Sequence, residues 1–145
     1  PVIAKVGLGS TDYLQTVSAA CESGVDGITA INTIRAMAID VETQRPILSN
    51  KIGGLSGTPI KPIAVRCVYE ISSKFDIPII GCGGISTWED AVEFILAGAS
   101  AVQFGSVMGD HWTEVFTEIN NGIQNYMEKK GYTTIGDMVG KAKKS

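Results

Sequence analysis

Four short apolar runs, each halted by a glycine or an asparagine, constrain the fold more than any other feature of this chain. They occupy residues 2–6 before Gly7, 27–31 before Asn32, 77–80 before Gly81 and 101–104 before Gly105. Runs of this length bounded by turn residues read as buried strands of a parallel sheet. Between them, apolar residues recur at three- and four-residue spacing. Over 12–22 these are Leu14, Val17, Ala20 and Cys21, with Gly24 placed to end a helix. Over 60–75 they are Ile63, Cys67, Val68 and Ile71, with Pro62 tolerated in the first turn. Ser86 to Glu89 fits the S-x-x-E capping box ahead of Val92, Ile95 and Leu96, and Gly98 closes that helix. A fourth helix is expected over 112–130, burying Val115, Phe116, Ile119, Ile123 and Tyr126 and ending at Gly131. A short terminal helix is expected over 134–143, with Lys141, Lys143 and Lys144 solvating its end.

A βα unit repeated four times implies a parallel sheet with helical crossovers, an α/β fold. Four units make half of a (β/α)₈ TIM-type barrel, whose full length is about 250 residues. The 145 residues are therefore expected to form a single domain, 1–145, supplying about four units. One connection is irregular. Roughly 27 residues separate Asn32 from Pro59, a length that signals a functional excursion or structure of its own. The pattern over 38–48 predicts a hairpin-like excursion at about 34–58.

Charge and cysteine content narrow the function classes. Twelve basic and fifteen acidic residues leave a net charge of -3, with no basic excess for nucleic acid. The apolar runs are far shorter than the roughly 20 residues of a membrane span, and no secretion-type leader opens the chain, so a cytoplasmic protein that is not exported is expected. Cys21, Cys67 and Cys82 are odd in number and widely spaced, unlike a disulfide framework or a cysteine zinc site, and fit a reducing compartment.

In a parallel α/β assembly, ligand groups gather at the carboxyl ends of the strands. Those places hold Lys5, Asn32, Thr33, the Gly53–Gly57 loop, Gly81 to Gly84, and Gly105 with Ser106. Glycine loops let backbone N–H groups approach an anion such as a phosphate, and a following helix N-terminus adds a favourable dipole. The alternative is that these glycines only make tight βα turns. Lys5 ends a run that reads as buried, where a cation needs an electron-rich partner such as a flavin or carbonyl oxygen; otherwise it simply leaves the sheet for solvent. Asn32 and Thr33 suit planar recognition of an amide or imide, or serve as turn residues. Cys82 has no evident base nearby and reads as small-residue packing. His111 is the only histidine, leaving little material for a His-dependent triad or a multi-histidine metal site. Asp40, Glu42 and Asp110 read as solvated loop carboxylates, and no metal site is expected.

The strings PVIAK at 1–5, INT at 31–33, AID at 38–40, GGLSG at 53–57 with IKP at 60–62, IPIIG at 77–81 with Gly83 and Gly84, and AGASAV at 97–102 together resemble the carboxyl-terminal half of a dihydroorotate dehydrogenase, closest to the class 1B type. The resemblance runs from Pro1 to about Gly140 and implies strands five to eight of an FMN-carrying barrel. Carried over by position, Lys5 resembles the lysine that contacts the flavin ring and Ile31 the residue whose backbone meets it. Asn32 and Thr33 resemble the orotate-binding pair. Gly57, Gly83, Gly84, Gly105 and Ser106 resemble the phosphate and ribityl contacts. Two departures are visible: Gly7-Leu8-Gly9 stands where the family commonly has Ser-Pro-Asn, and Ser106 stands where threonine is common.

The activity implied is oxidation of dihydroorotate to orotate in pyrimidine biosynthesis. Its catalytic base, a cysteine in class 1 enzymes, lies on a loop of the amino-terminal half that nothing here matches. The implied partners are dihydroorotate and orotate, the amino-terminal half of the barrel or a second copy of this chain, and an electron-transfer subunit carrying FAD and an iron–sulfur cluster. Two other readings stay open: a flavin domain like that of dihydropyrimidine dehydrogenase, and a non-catalytic half-barrel that binds phosphate.

Overall fold

A computed structural model describes residues 1–9, 12–111 and 113–144, without the side chains of Asp110, His111 and Lys144. The expected helix start at Trp112, and the readings of the Asp110, His111 and Lys144 side chains, lie outside the described residues. The chain opens with β1 (Ile3–Val6), α1 (Tyr13–Glu22) and β2 (Gly27–Ala30). An excursion follows, made of β3 (Ile34–Ala36), β4 (Ile39–Asp40), β5 (Arg45–Pro46) and β6 (Gly53–Leu55). A 3-10 turn, Thr58–Ile60, leads into α2 (Lys61–Lys74) and β7 (Ile79–Cys82). The remainder is α3 (Trp88–Ala97), β8 (Ala101–Gln103), α4 (Met108–His111) and α5 (Glu114–Lys130).

The main sheet is wholly parallel, in the order β1-β2-β7-β8. Its neighbours are consecutive units of the βα series, the arrangement of half a TIM-type barrel. The excursion holds two antiparallel pairs, β3 with β6 and β4 with β5. It leaves Met37, Ile39, Val41, Ile47 and Leu48 exposed.

Local chemistry explains the boundaries. Asp12 caps α1, its carboxylate accepting the Leu14 N–H at 2.9 Å, a contact typically worth about 1 kcal/mol. The capping box of α3 is Thr87 with Asp90, one residue later than the S-x-x-E pattern indicated. The Thr87 hydroxyl oxygen accepts the Asp90 N–H at 3.4 Å and Asp90 accepts the Thr87 N–H at 3.0 Å, while Ser86, one residue outside, donates its N–H and hydroxyl to the same carboxylate. The α5 helix ends on Gly131 at φ 74°, where a residue without a Cβ adopts the left-handed conformation cheaply. The core lies between the helices and the sheet, around the fully buried Val17, Cys67, Val68, Ile71 and Phe94. Phe94 presses against Gly81, where a Cβ would stand 2.5 Å from the ring. No helix among the described residues is long and apolar enough to cross a membrane.

Four expectations are corrected. The outer strands are not buried: Ile3 is 49% exposed, and Lys5, Ala101 and Gln103 are also exposed, because β1 and β8 each have a neighbour on one side only. The third strand runs over Ile79–Cys82 and not 77–80, so Gly81 and Cys82 belong to its ladder. Phe116 is 47% exposed and stacks on Phe104, centroids 4.8 Å apart, at the open β8 side, and Tyr126 is only partly buried. The terminal segment forms two 3-10 turns, Ile135–Asp137 and Lys141–Lys144, in place of one helix. Thr134 and Asp137 close the first turn on itself, and Gly140 at φ 69° separates the two. This segment crosses α3 with Met138 fully buried and the Gly140 N–H bonded to the Ile95 carbonyl at 3.1 Å. Lys143 is not free to solvate an end: its ammonium donates to the Ser72 carbonyl at 2.8 Å.

Candidate functional site

The carboxyl ends of the four parallel strands surround a cavity of about 420 Å³. Sheet order fixes which chemistry stands where. Lys5 comes from β1, Ile31, Asn32 and Thr33 follow β2, Cys82, Gly83 and Gly84 come from the end of β7, and Gly105 and Ser106 follow β8. Gly57 and Ser56 reach the same cavity from the end of the excursion. All nine site residues singled out from the sequence line this one space. Ser56, Thr58, Pro59, Ile60, Ile85, Ser86, Phe104 and Val107 line it too. Their place one to three positions from Gly57, Gly84 and Gly105 was the signal that could have found them.

The β7 and β8 side of the cavity is mostly backbone. Gly84 has φ +79°, and a Cβ there would stand 2.8 Å from the Gly57 carbonyl oxygen and 2.8 Å from the Lys61 nitrogen. Two loops therefore meet at a spacing that only glycine permits. Gly83, at φ +127°, leaves its missing Cβ 3.0 Å from Ala64 on α2. A Cβ on Gly105 would meet nothing within 4 Å, so this loop faces open space. The start of α2 lies beside Gly57 and Gly84, where peptide dipoles favour an anion.

The β1 and β2 side is polar in a different way. The Ile31 N–H donates to the Cys82 carbonyl at 2.7 Å, and the Asn32 N–H donates to the Val6 carbonyl at 2.8 Å. These bonds tie the segment after β2 to both neighbouring strands. Asn32 Oδ1 accepts the Thr33 N–H at 2.9 Å, which leaves the NH₂ as the donor of this amide. Lys5 is exposed, and its ammonium lies 4.0 Å from the Cys82 sulfur. The expectation of a buried lysine is thereby corrected: on an edge strand no burial penalty compels a partner. Cys82 is not packing material alone, because its side of β7 lines the cavity. A second cleft of about 790 Å³ shares Asn32 and Thr33 and adds Gly7, Thr16, Arg35 and Asn50. Arg35 and Asn50 went unremarked in the sequence, since only the folding of the excursion brings them beside Asn32.

Behind the glycine wall sits an ion cluster. Lys61 Nζ lies 2.7 Å from Asp90 Oδ1 and 2.8 Å from Glu93 Oε2. Burial pushes the Asp90 carboxyl up, but the Lys61 ammonium and the Ser86 and Thr87 donors outweigh it and hold the group below its ordinary range. The Asp90 hydrogen bond, then that of Glu93, raises Lys61 above its ordinary value. Cys67 is fully buried, and desolvation pushes its thiol up. Asp40 accepts the Glu42 and Thr43 N–H groups at the tip of the excursion, far from any paired-carboxylate geometry. Among the described residues no three His, Cys, Asp or Glu side chains converge as a metal site would require.

Comparison with known proteins matches residues 1–127 to the dihydroorotate dehydrogenase family. The catalytic subunit of dihydroorotate dehydrogenase B (NAD(+)) from Pyrococcus furiosus is 53% identical over 144 residues, covering 99% of this chain and 48% of that protein. The same subunit of Pyrococcus abyssi is 51% identical, with 99% and 48% covered. That of Methanosarcina acetivorans is 46% identical over 140 residues, with 97% and 45% covered. The chain spans about half the length of the curated relatives it matches.

Proposed function

The chain belongs to the dihydroorotate dehydrogenase family, and from that premise we propose that it forms the flavin-phosphate and substrate-amide side of an FMN-dependent oxidation of dihydroorotate to orotate. The observation that carries this reading is the convergence of nine residues from five separate segments on one cavity at the strand ends. The residues suit FMN on structural grounds. A loop junction that a single Cβ at Gly84 would fill is a backbone cradle of the kind phosphate groups occupy.

In this reading Gly57, Gly83, Gly84, Gly105 and Ser106 hold the phosphate and ribityl chain, and the Ile31 backbone and Lys5 meet the ring. FMN, when bound, supplies the acceptor for the hydride leaving C6 of dihydroorotate. Lys5 contributes a positive charge where negative charge develops, which favours the reduced state electrostatically. Asn32 and Thr33 orient the substrate through its amide and imide edges, with the Asn32 NH₂ as donor and the Thr33 hydroxyl as donor or acceptor. The base that removes the C5 proton belongs to the amino-terminal half of the barrel, which also covers the open edges of β1 and β8. Residues 1–145 act as one unit, with the excursion over 34–58 flanking the substrate side. The relatives are named as catalytic subunits of an NAD(+)-dependent enzyme, which supports a second subunit that accepts the electrons through FAD and an iron–sulfur cluster. A cytoplasmic site fits pyrimidine synthesis.

Flavin titration tests this. FMN added to the chain, alone and together with an amino-terminal barrel half, should show quenched fluorescence, and orotate should then perturb the flavin absorption band. A chain that binds inorganic phosphate but no flavin in either setting overturns the assignment in favour of a phosphate-binding half-barrel. Uracil reduction without dihydroorotate oxidation would place it with the dihydropyrimidine dehydrogenases.

A further inference from the structure

We propose that Asp90 is a positioning residue for the anion cradle, holding the Gly57 and Gly84 loops at their working spacing through Lys61 and the Ser86–Thr87 backbone. The inference rests on the reading of the cavity as a flavin-phosphate site and concerns residues outside the cavity's glycine wall. Asp90 is only 8% exposed, and both of its oxygens are engaged. Oδ2 accepts the Ser86 N–H at 2.9 Å, the Ser86 hydroxyl at 3.0 Å and the Thr87 N–H at 3.0 Å. Oδ1 accepts the Lys61 ammonium at 2.7 Å. One carboxylate thus links the loop that carries Gly83 and Gly84 to the first residue of α2.

That first residue is the one against which Gly84 abuts. The Lys61 nitrogen and Cβ each stand 2.8 Å from where a Gly84 Cβ would be, beside the Gly57 carbonyl oxygen. The ion pair therefore ties two of the backbones that meet at the cradle, the Gly84 loop and the start of α2, and the Ile60 N–H, donating to the Gly57 carbonyl at 3.2 Å, joins the third. It also disposes of a charge. Lys61 begins α2 at the edge of the site, yet its ammonium is held by Asp90 and Glu93 on α3, and Lys61 is absent from the cavity lining. A phosphate in the cradle meets backbone N–H groups and the Ser106 hydroxyl, with the Lys61 ammonium already neutralised. A partly buried pair of this kind, with the Asp90 carboxylate the more enclosed partner, is costly to break from one side, since the remaining charge loses its partner.

Binding of FMN and of riboflavin, which lacks the phosphate, separates this role from general stabilisation. Both are measured by fluorescence quenching on the full chain, and with the amino-terminal half present. Asp90→Asn and Lys61→Met should each weaken FMN about tenfold, the loss of one charge-assisted hydrogen bond, and change riboflavin binding less than about twofold. Asp90→Glu should restore part of the FMN affinity. The proposal is overturned if Asp90→Asn tightens FMN, which would mean the released Lys61 binds the phosphate itself. It is equally overturned if both flavins weaken in parallel, which would mean the cluster only stabilises the fold. A wild-type chain that binds neither flavin in either setting removes the cradle reading and this proposal with it.

Discussion

The Lys5 ammonium on β1 lies 4.0 Å from the Cys82 sulfur on β7, although β2 runs between those two strands. The lysine therefore leans across the strand ends and over the cavity floor. The two groups share the space assigned to the flavin ring.

Thiol labelling follows from that contact. Cys82 lines the cavity, whereas Cys67 is fully buried with its thiol pushed up by desolvation. Iodoacetamide should modify Cys82 in the flavin-free chain and be blocked by FMN, and it should reach Cys67 only after unfolding. Peptide mass mapping with and without FMN reads this directly. Equal labelling of Cys82 in both states would place the flavin elsewhere.

Gly84→Ala should both destabilise the chain and abolish flavin binding. The new Cβ would meet the Gly57 oxygen and the Lys61 nitrogen at 2.8 Å, at a φ of +79° that L-residues rarely adopt. The expected cost is about 1–3 kcal/mol, read as a lowered midpoint in urea. Gly105→Ala, with nothing within 4 Å of the added atom, should leave the midpoint unchanged.

Stability should fall at acid pH through a short list of groups. The Asp40, Asp90 and Asp137 carboxyls sit below their ordinary range in the folded chain. Their contribution is complete above the unfolded carboxylate value of about 4 and is lost as pH falls through the lower folded values. Lys61 is raised, so its contribution is present below the ordinary lysine value of about 10.4 and lost as pH rises past the folded one. Between those limits these groups predict a flat profile. Asp90→Asn should shrink the acid limb in urea titrations at pH 2–6, and an unchanged limb would contradict this assignment.

Met138→Ala should cost about 2–5 kcal/mol, an unusual sum for a residue in a terminal segment without a full helix, because its side chain is fully buried against the main core. Lys143→Ala, which removes a single exposed bond to the Ser72 carbonyl, should cost under about 1 kcal/mol. Thermal denaturation of the two variants gives the ranking.

Much of the fold was legible because βα units announce themselves through local pattern. Gly7, Gly98 and Gly131 mark ends correctly, and Asp12 caps where the apolar spacing begins. The candidate site was legible for the same reason, since strand ends are where a parallel sheet exposes ligand groups. What pattern cannot express is a residue's number of neighbours. Ile3 and Lys5 look buried by composition but stand on an edge, and Phe116 follows helical spacing yet faces the open β8 side. The Arg35 and Asn50 cleft and the Asp90 cluster depend on segments 15 or more residues apart. No local periodicity encodes such meetings. The terminal segment failed for a different reason: Gly136 and Gly140 interrupt a weak helical pattern, and the burial of Met138 decides its path.

The arrangement of Lys61 between Asp90 and Glu93 has a kinetic consequence. With one cation matched by two anions at the cradle's back wall and a net charge of -3 on the whole chain, a dianionic ligand approaches without long-range attraction. Its capture then depends on diffusion and fit once it arrives, and added salt, by screening the repulsion, speeds the encounter instead of slowing it.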